Sequence, residues 1–214
     1  MPFVPDITVL AAFTLACLVL TITPGPDMTL FLGKTLSRGR RAGLVAMCGA
    51  FTGTVFHTLL AAFGLSALLA GSATAFGVLK IAGALYLLWL AVDALRNGSS
   101  LTLRNGVRSH EPLAQVYFKG LGINLLNPKI ILFFVTFLPQ FVSASDPAAA
   151  GKLLFLGFWF IGIAMPLCAA MVLMADAIAE RLHRSPRITR MIDWLFASVF
   201  AAFAVKLLLE PERG

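Results

Sequence analysis

From Ile7 to Leu32 the sequence is apolar and carries a single charged side chain, Asp27. Runs of this kind recur to the end of the chain, and they constrain the fold more than any other feature. A helix that crosses a membrane needs roughly 20 mainly apolar residues at a rise of 1.5 Å each. Six segments of this sequence meet that requirement: Ile7–Leu32, Leu44–Leu69, Phe76–Leu95, Phe118–Phe141, Leu153–Ala175 and Met191–Leu209. The composition agrees, with 59% hydrophobic and 13% charged residues, where soluble domains carry about 25% charged. So few polar side chains would leave a soluble fold uncovered, whereas lipid as the outer solvent removes the need for them. The expected fold is an all-α membrane protein, one transmembrane domain over residues 1–214.

The basic residues explain the orientation. A formal charge of +7 would suit nucleic acid if the cations formed one patch. Instead they gather between apolar runs. Lys34, Arg38, Arg40 and Arg41 make one group; Arg96, Arg104, Arg108 and Lys119 a second; Arg181, Arg184, Arg187 and Arg190 a third. These fall in the first, third and fifth connections. The second, Ala70–Ala75, has no charge, and the fourth, Val142–Lys152, has one basic residue. Cytoplasmic loops collect Lys and Arg, so the basic connections are predicted inside, against anionic lipid headgroups and not nucleic acid, and both termini outside. The N-terminal stretch has no basic n-region and its apolar run exceeds a signal-peptide core, so an uncleaved first helix is expected.

Asn97–Pro112 reads as the one linker, rich in Gly, Ser and Asn. It divides the chain into a first repeat, residues 1–96, and a second, residues 113–214. Three spans reverse direction across the membrane, so two similar halves would be inverted relative to each other. Leu113–Lys119 is expected to extend the fourth helix along the cytoplasmic interface.

Helices 1 and 4 are each interrupted. The first contains Thr23-Pro24-Gly25-Pro26-Asp27 and the fourth Asn124-Leu125-Leu126-Asn127-Pro128-Lys129. Proline removes a backbone donor and clashes with the carbonyl four residues back, so each motif should kink or unwind its helix. In hydrocarbon, freed backbone groups survive only in protein or against a water-lined cavity. A lone kink in a membrane helix is ordinarily structural. Two of them, one per half and each followed by an ionisable residue, point to a translocation site. Pro26-Asp27-Met28-Thr29-Leu30-Phe31 also aligns with Pro128-Lys129-Ile130-Ile131-Leu132-Phe133, which makes Asp27 and Lys129 symmetry-equivalent residues of opposite charge. A charge at membrane depth costs roughly 2.5–3.5 kcal/mol on insertion scales, a cost that pairing or an aqueous cavity relieves. The half-helix starting at each proline would point amides at an anionic group such as a carboxylate.

The remaining polar residues have plainer readings beside the functional ones. His57 lies mid-helix, as a packing residue or a proton-coupling one. Cys17, Cys48 and Cys168 stand singly in apolar runs, without a C-x-x-C pair, as small hydrophobes. Asp93, Asp176 and Asp193 sit near helix ends beside Arg, and Lys80 can snorkel. Gly49 and Gly53 have small-x-x-x-small spacing for close helix contact, within the chain or in a homo-oligomer. Met165-Pro166 should kink the fifth helix. A serine protease is disfavoured, because His57 and Ser66 would lie roughly 13 Å apart on opposite faces of one helix. No H-E-x-x-H occurs. Thiol–disulfide transfer lacks a second cysteine near the breaks. A cation or metal exporter would want several converging carboxylates, histidines or thiolates, and Asp27 is the one acid clearly at depth. That reading and a passive channel remain open at this level. No catalytic residue, cofactor or bound metal is expected.

These motifs resemble the LysE/RhtB family of bacterial amino-acid exporters. The resemblance runs through Thr23-Pro24-Gly25-Pro26-Asp27, Arg38-Gly39-Arg40-Arg41-Ala42-Gly43-Leu44, Gly49 and Gly53, and the Lys80–Arg96 helix. It continues through Gly120, Asn124, Asn127-Pro128-Lys129 and Phe137-Leu138-Pro139-Gln140-Phe141. It implies an inner-membrane secondary transporter that exports amino acids or related small metabolites on the proton gradient. The substrate site expected from the two breaks comprises Pro24, Gly25, Pro26, Asp27, Asn124, Asn127, Pro128 and Lys129, with Asp27 or His57 coupling protons. Trp194 departs from the pattern, standing where the family is expected to carry glycine.

Overall fold

The computed structural model describes residues 3–65, 111–143 and 146–175, with single positions at 177, between 78 and 96, and between 190 and 205. Lys80, Asp93, Asp176, Asp193, Ser66 and most of the Asn97–Pro112 linker lie outside the described residues.

Every regular element among the described residues is helical. They are α1 (Ile7–Ile22), α2 (Pro26–Arg38), α3 (Arg40–Leu60, prolonged by a π-turn at Ala61–Leu65), α4 (Leu113–Leu125), α5 (Pro128–Leu132) and α6 (Ala149–Leu173). A π-turn at Phe133–Phe137 and a 3-10 turn at Leu138–Phe141 carry α5 onward. The described positions from Val78 to Arg96 and from Arg190 to Val205 are helical too, where the third and sixth spans were expected. Arg40–Gly64 and Ala149–Leu173 are each long and apolar enough to cross a membrane. α1 with α2, and α4 with α5 and its continuation, form bent spans, turning by 50° and 48° at their breaks. The chain is therefore a multi-pass, all-helical membrane protein with its first and fourth spans broken.

One local feature differs from the sequence expectation. The first basic cluster is not a loop: Lys34 and Arg38 end α2, Arg40 and Arg41 open α3, and Gly39 alone separates them. Gly39 has φ +87, a left-handed conformation that favours glycine. Long basic side chains tolerate helix and can reach water from its ends, and Arg38 complements the negative end of the α2 dipole. Pro166, where a kink is expected, lies inside α6, which runs as helix to Leu173.

Glycine brings α3 against α4. A Cβ on Gly49 would fall 2.1 Å from the Tyr117 carbonyl oxygen, and one on Gly120 would fall 2.1 Å from that of Ala46. The small-residue spacing at Gly49 and Gly53 thus serves an internal crossing.

The apolar core has two parts. One gathers Phe13 and Leu20 of α1, Ala61 and Ala62 after α3, Ile130, Phe133 and Phe134, and Leu153 to Ala164 of α6. The other gathers Met28, Phe31 and Leu32 of α2, Ala46 and Met47 of α3, Val116 of α4, and Cys168 to Val172 of α6. Along each broken span the polar break residues fall between members of the two clusters: Thr23 and Asp27 in the first, Asn124 and Asn127 in the second. Thr54, His57 and Thr58 do the same on α3. The first broken span passes from the first cluster to the second, and the other broken span passes back. The two breaks therefore meet in one polar layer, approached from opposite directions.

Candidate functional site

Proline sets where each half-helix begins. Pro26 opens α2 and Pro128 opens α5, each at a first-turn position where a missing N–H is harmless. The ends of the preceding half-helices then need partners for their last carbonyls. At the first break, Thr23 supplies two donors to the Val19 carbonyl, its amide at 3.1 Å and its hydroxyl at 2.6 Å. Lys129, from the other broken span, donates through Nζ to the carbonyls of Leu20 at 2.8 Å and Thr23 at 2.6 Å. At the second break the Asn124 carbonyl accepts from the Asn127 amide at 3.0 Å. It also lies 3.2 Å from His57 Nε2.

A cavity of about 60 Å³ opens where these ends meet. Gly25, Asp27, Asn124, Asn127 and Lys129 line it with Thr23 and Thr54, against apolar walls that include Met28, Phe31, Phe51, Ile130 and Phe160. Asp27 Oδ2 accepts from Asn124 Nδ2 at 2.7 Å. Its other oxygen, Oδ1, is buried without a hydrogen-bond partner among the described residues. A Cβ on Gly25 would stand 3.5 Å from Lys129 Nζ, so the ammonium lies close against that glycine. The site is thus amphoteric: a carboxylate, an ammonium and a helix N-terminus face one small space.

Five of the eight residues expected at the site line this cavity. Pro24, Pro26 and Pro128 do not, and Pro26 and Pro128 are exposed. Their contribution is to the backbone. His57 is buried 3.2 Å from a main-chain carbonyl and stacked on Phe134, and it is not among the lining residues. The expectation that both half-helix starts offer free amides holds for one alone. Asn127 Oδ1 accepts the Lys129 amide at 3.1 Å and caps α5, whereas no side chain caps α2 at Gly25.

Sequence reasoning passed over Thr54 and Cys168, both in the cavity wall. The stripe Thr54, His57 and Thr58, buried on one face of α3, was the available signal for the first. Nothing distinguished Cys168 from a packing cysteine. Also missed was a link away from the breaks. Just before α4, Glu111 takes Lys34 of α2 on Oε2 at 2.5 Å and Lys119 of α4 on Oε1. The two ammonium groups, Lys119 foremost, hold the Glu111 carboxyl down at about 2.

The LysE type translocator family model matches residues 18–211. An uncharacterized membrane protein of Vibrio cholerae is 36% identical over 200 residues, covering 91% of this chain and 94% of the relative. The homoserine/homoserine lactone efflux protein of Salmonella typhimurium is 28% identical over 189 residues, covering 88% and 90%. The leucine efflux protein of Salmonella choleraesuis is 24% identical over 195 residues, covering 91% and 92%. No solved structure matches the chain. The match covers both breaks and the cavity they share, so the chain belongs to the LysE-type translocators, which are membrane transporters and not enzymes.

Proposed function

We propose that this protein exports a small neutral amino acid, or a close derivative, from the cytoplasm through the inner membrane, driven by the proton gradient. The observation that carries the reading is the shared cavity, in which Asp27 and Lys129 arrive from opposite broken spans. A zwitterion presents an ammonium and a carboxylate a few bonds apart, and this cavity offers a partner for each. Asp27 Oδ1, which lacks a hydrogen-bond partner among the described residues, suits the ammonium or the coupling proton. The uncapped start of α2 and the Lys129 ammonium suit the carboxylate. The apolar walls then receive an aliphatic side chain. The efflux of homoserine and of leucine by two relatives supports that class.

Residues 1–96 and 113–214 act in this reading as inverted repeats that alternate access around the two breaks, with both termini outside. Two groups must share a cavity whose closed volume is small, so substrate and proton compete for Asp27. That competition would couple export to proton entry.

The test is export from proteoliposomes and a growth-rescue screen against toxic levels of individual amino acids. Asp27→Asn and Lys129→Ala should each lower export by about tenfold or more, with rescue lost for the amino acid the wild type clears. Full transport in both variants would sink the site assignment. Rescue by wild type against metal salts alone would favour a cation exporter instead.

A further inference from the structure

His57 sits beside this site without lining it, and its contacts define another role. We infer that His57 is a positioning residue: a fixed donor that holds Asn124, and through Asn124 the carboxylate of Asp27, and that it does not carry the transported proton.

Three residues on one face of α3 bear on Asn124. Gly53 leaves room for its amide, since a Cβ there would fall 2.5 Å from Asn124 Oδ1. The Thr54 hydroxyl lies 3.4 Å from the same oxygen. One turn on, His57 Nε2 lies 3.2 Å from the Asn124 carbonyl oxygen. A carbonyl can only accept, so Nε2 must carry the hydrogen. The ring is held further by stacking on Phe134, with centroids 5.9 Å apart and planes at 28°. Both oxygens of Asn124 thus face donors on α3, although the Thr54 hydroxyl shares its one hydrogen with the Ala50 carbonyl at 3.3 Å, and Nδ2 is left toward Asp27 Oδ2 at 2.7 Å. A flipped amide would set oxygen against oxygen there.

A proton carrier has to gain and lose its proton in contact with the pathway. His57 is 7% exposed, and the acceptor at Nε2 belongs to the end of a half-helix. The other ionisable groups nearby are Asp27 on α2, Lys129 on α5 and Cys168 on α6. Asp27 takes its hydrogen bond from Asn124, and Lys129 gives hydrogen bonds to the carbonyls of Leu20 and Thr23. What the imidazole supplies is one N–H at a fixed place, which the side-chain amide of glutamine can also supply.

The inference rests on the reading of Asp27 as the substrate or proton site. Its test compares wild type, His57→Gln and His57→Leu in proteoliposomes, reading proton-driven export against pH and substrate exchange without a gradient. His57→Gln should keep driven export within about twofold of wild type and leave the pH profile unmoved. His57→Leu should raise KM and lower both driven export and exchange by about tenfold. Loss of driven export with exchange intact in His57→Gln, or a shifted pH profile, would overturn the inference by making His57 the carrier. So would full activity in His57→Leu, or an inactive but folded His57→Gln. Should His57→Leu fail to fold, the glutamine variant decides alone. Asp27→Asn runs in parallel: if it retains wild-type exchange and pH profile, the site reading fails whatever His57 does.

Discussion

The two breaks bend by nearly the same angle, 50° and 48°, yet they are stabilised in opposite ways. The second is supported from nearby. Asn127 caps the half-helix that follows it, its amide returns to the Asn124 carbonyl, and His57 of α3 approaches the same oxygen. The first is held locally at the Val19 carbonyl by Thr23 and otherwise from a distance. No side chain caps α2, and the carbonyls of Leu20 and Thr23 take their donor from Lys129, more than a hundred residues away. A break that depends on a residue of the other span can be released when that residue moves or finds another partner. In the proposed function, the second break is the fixed side of the site, and the first is the side that a substrate carboxylate competing for Lys129 would loosen.

The largest expected effect follows from removing that remote donor. Lys129→Ala should abolish export and also lower thermal stability in detergent. Each buried carbonyl left without its donor costs about 1–3 kcal/mol. A variant as stable as wild type would mean that the first break does not depend on Lys129.

A smaller effect should come from making the first break resemble the second. Gly25→Ser offers α2 the cap it lacks, and its Cβ would meet Lys129 Cδ and Nζ at 3.4 and 3.5 Å, ordinary contact distances. Stability should rise by no more than a few tenths of a kcal/mol. KM for the exported amino acid should rise several-fold, because the hydroxyl takes the amides that would bind the carboxylate. An unchanged KM removes the α2 terminus from the site.

The converse change is milder. Asn127→Ala removes the cap of α5 and should cost about 1 kcal/mol of unfolding free energy, measured by chemical denaturation. Its neighbours on α4 and α3 still hold the break. A loss as large as that of Lys129→Ala would erase the distinction drawn between the two.

The smallest effect lies away from the breaks, where Glu111 ties α2 to α4. Its carboxyl sits near 2, below the ordinary value of 4.5. A depressed carboxylate contributes stability above its unfolded value and loses it as pH falls through the folded one. Wild type should thus exceed Glu111→Gln slightly in thermal midpoint at neutral pH. The two should converge as pH drops from about 4.5 toward 2, and high salt should narrow the gap. A gap that persists at low pH would assign Glu111 a role other than its charge.

Much of this was legible from residue order. Apolar length and the prolines are local properties, so the broken spans, and Asp27 and Lys129 beside the breaks, could be read directly. The first basic cluster was misread as a loop, because a single glycine at positive φ suffices to reverse the chain and charge pattern does not reveal it. His57 was read with two roles because sequence shows what can titrate but not which atom faces it. Asn124 is expected at the site from the sequence, but nothing in its neighbours showed that α3 would face both of its oxygens.

By itself the sequence determined that this chain lives in a membrane, where its helices must break, and which charged residues stand at the breaks. Those outcomes follow from hydrophobic length and from the missing amide of proline, which act within a few residues. Only the tertiary structure decided which break depends on the other, that one helix start is capped and its counterpart open, and that His57 meets a main-chain carbonyl without itself lining the cavity. Such facts are fixed by donors and acceptors brought together across spans, and the pairing of remote groups is set by packing.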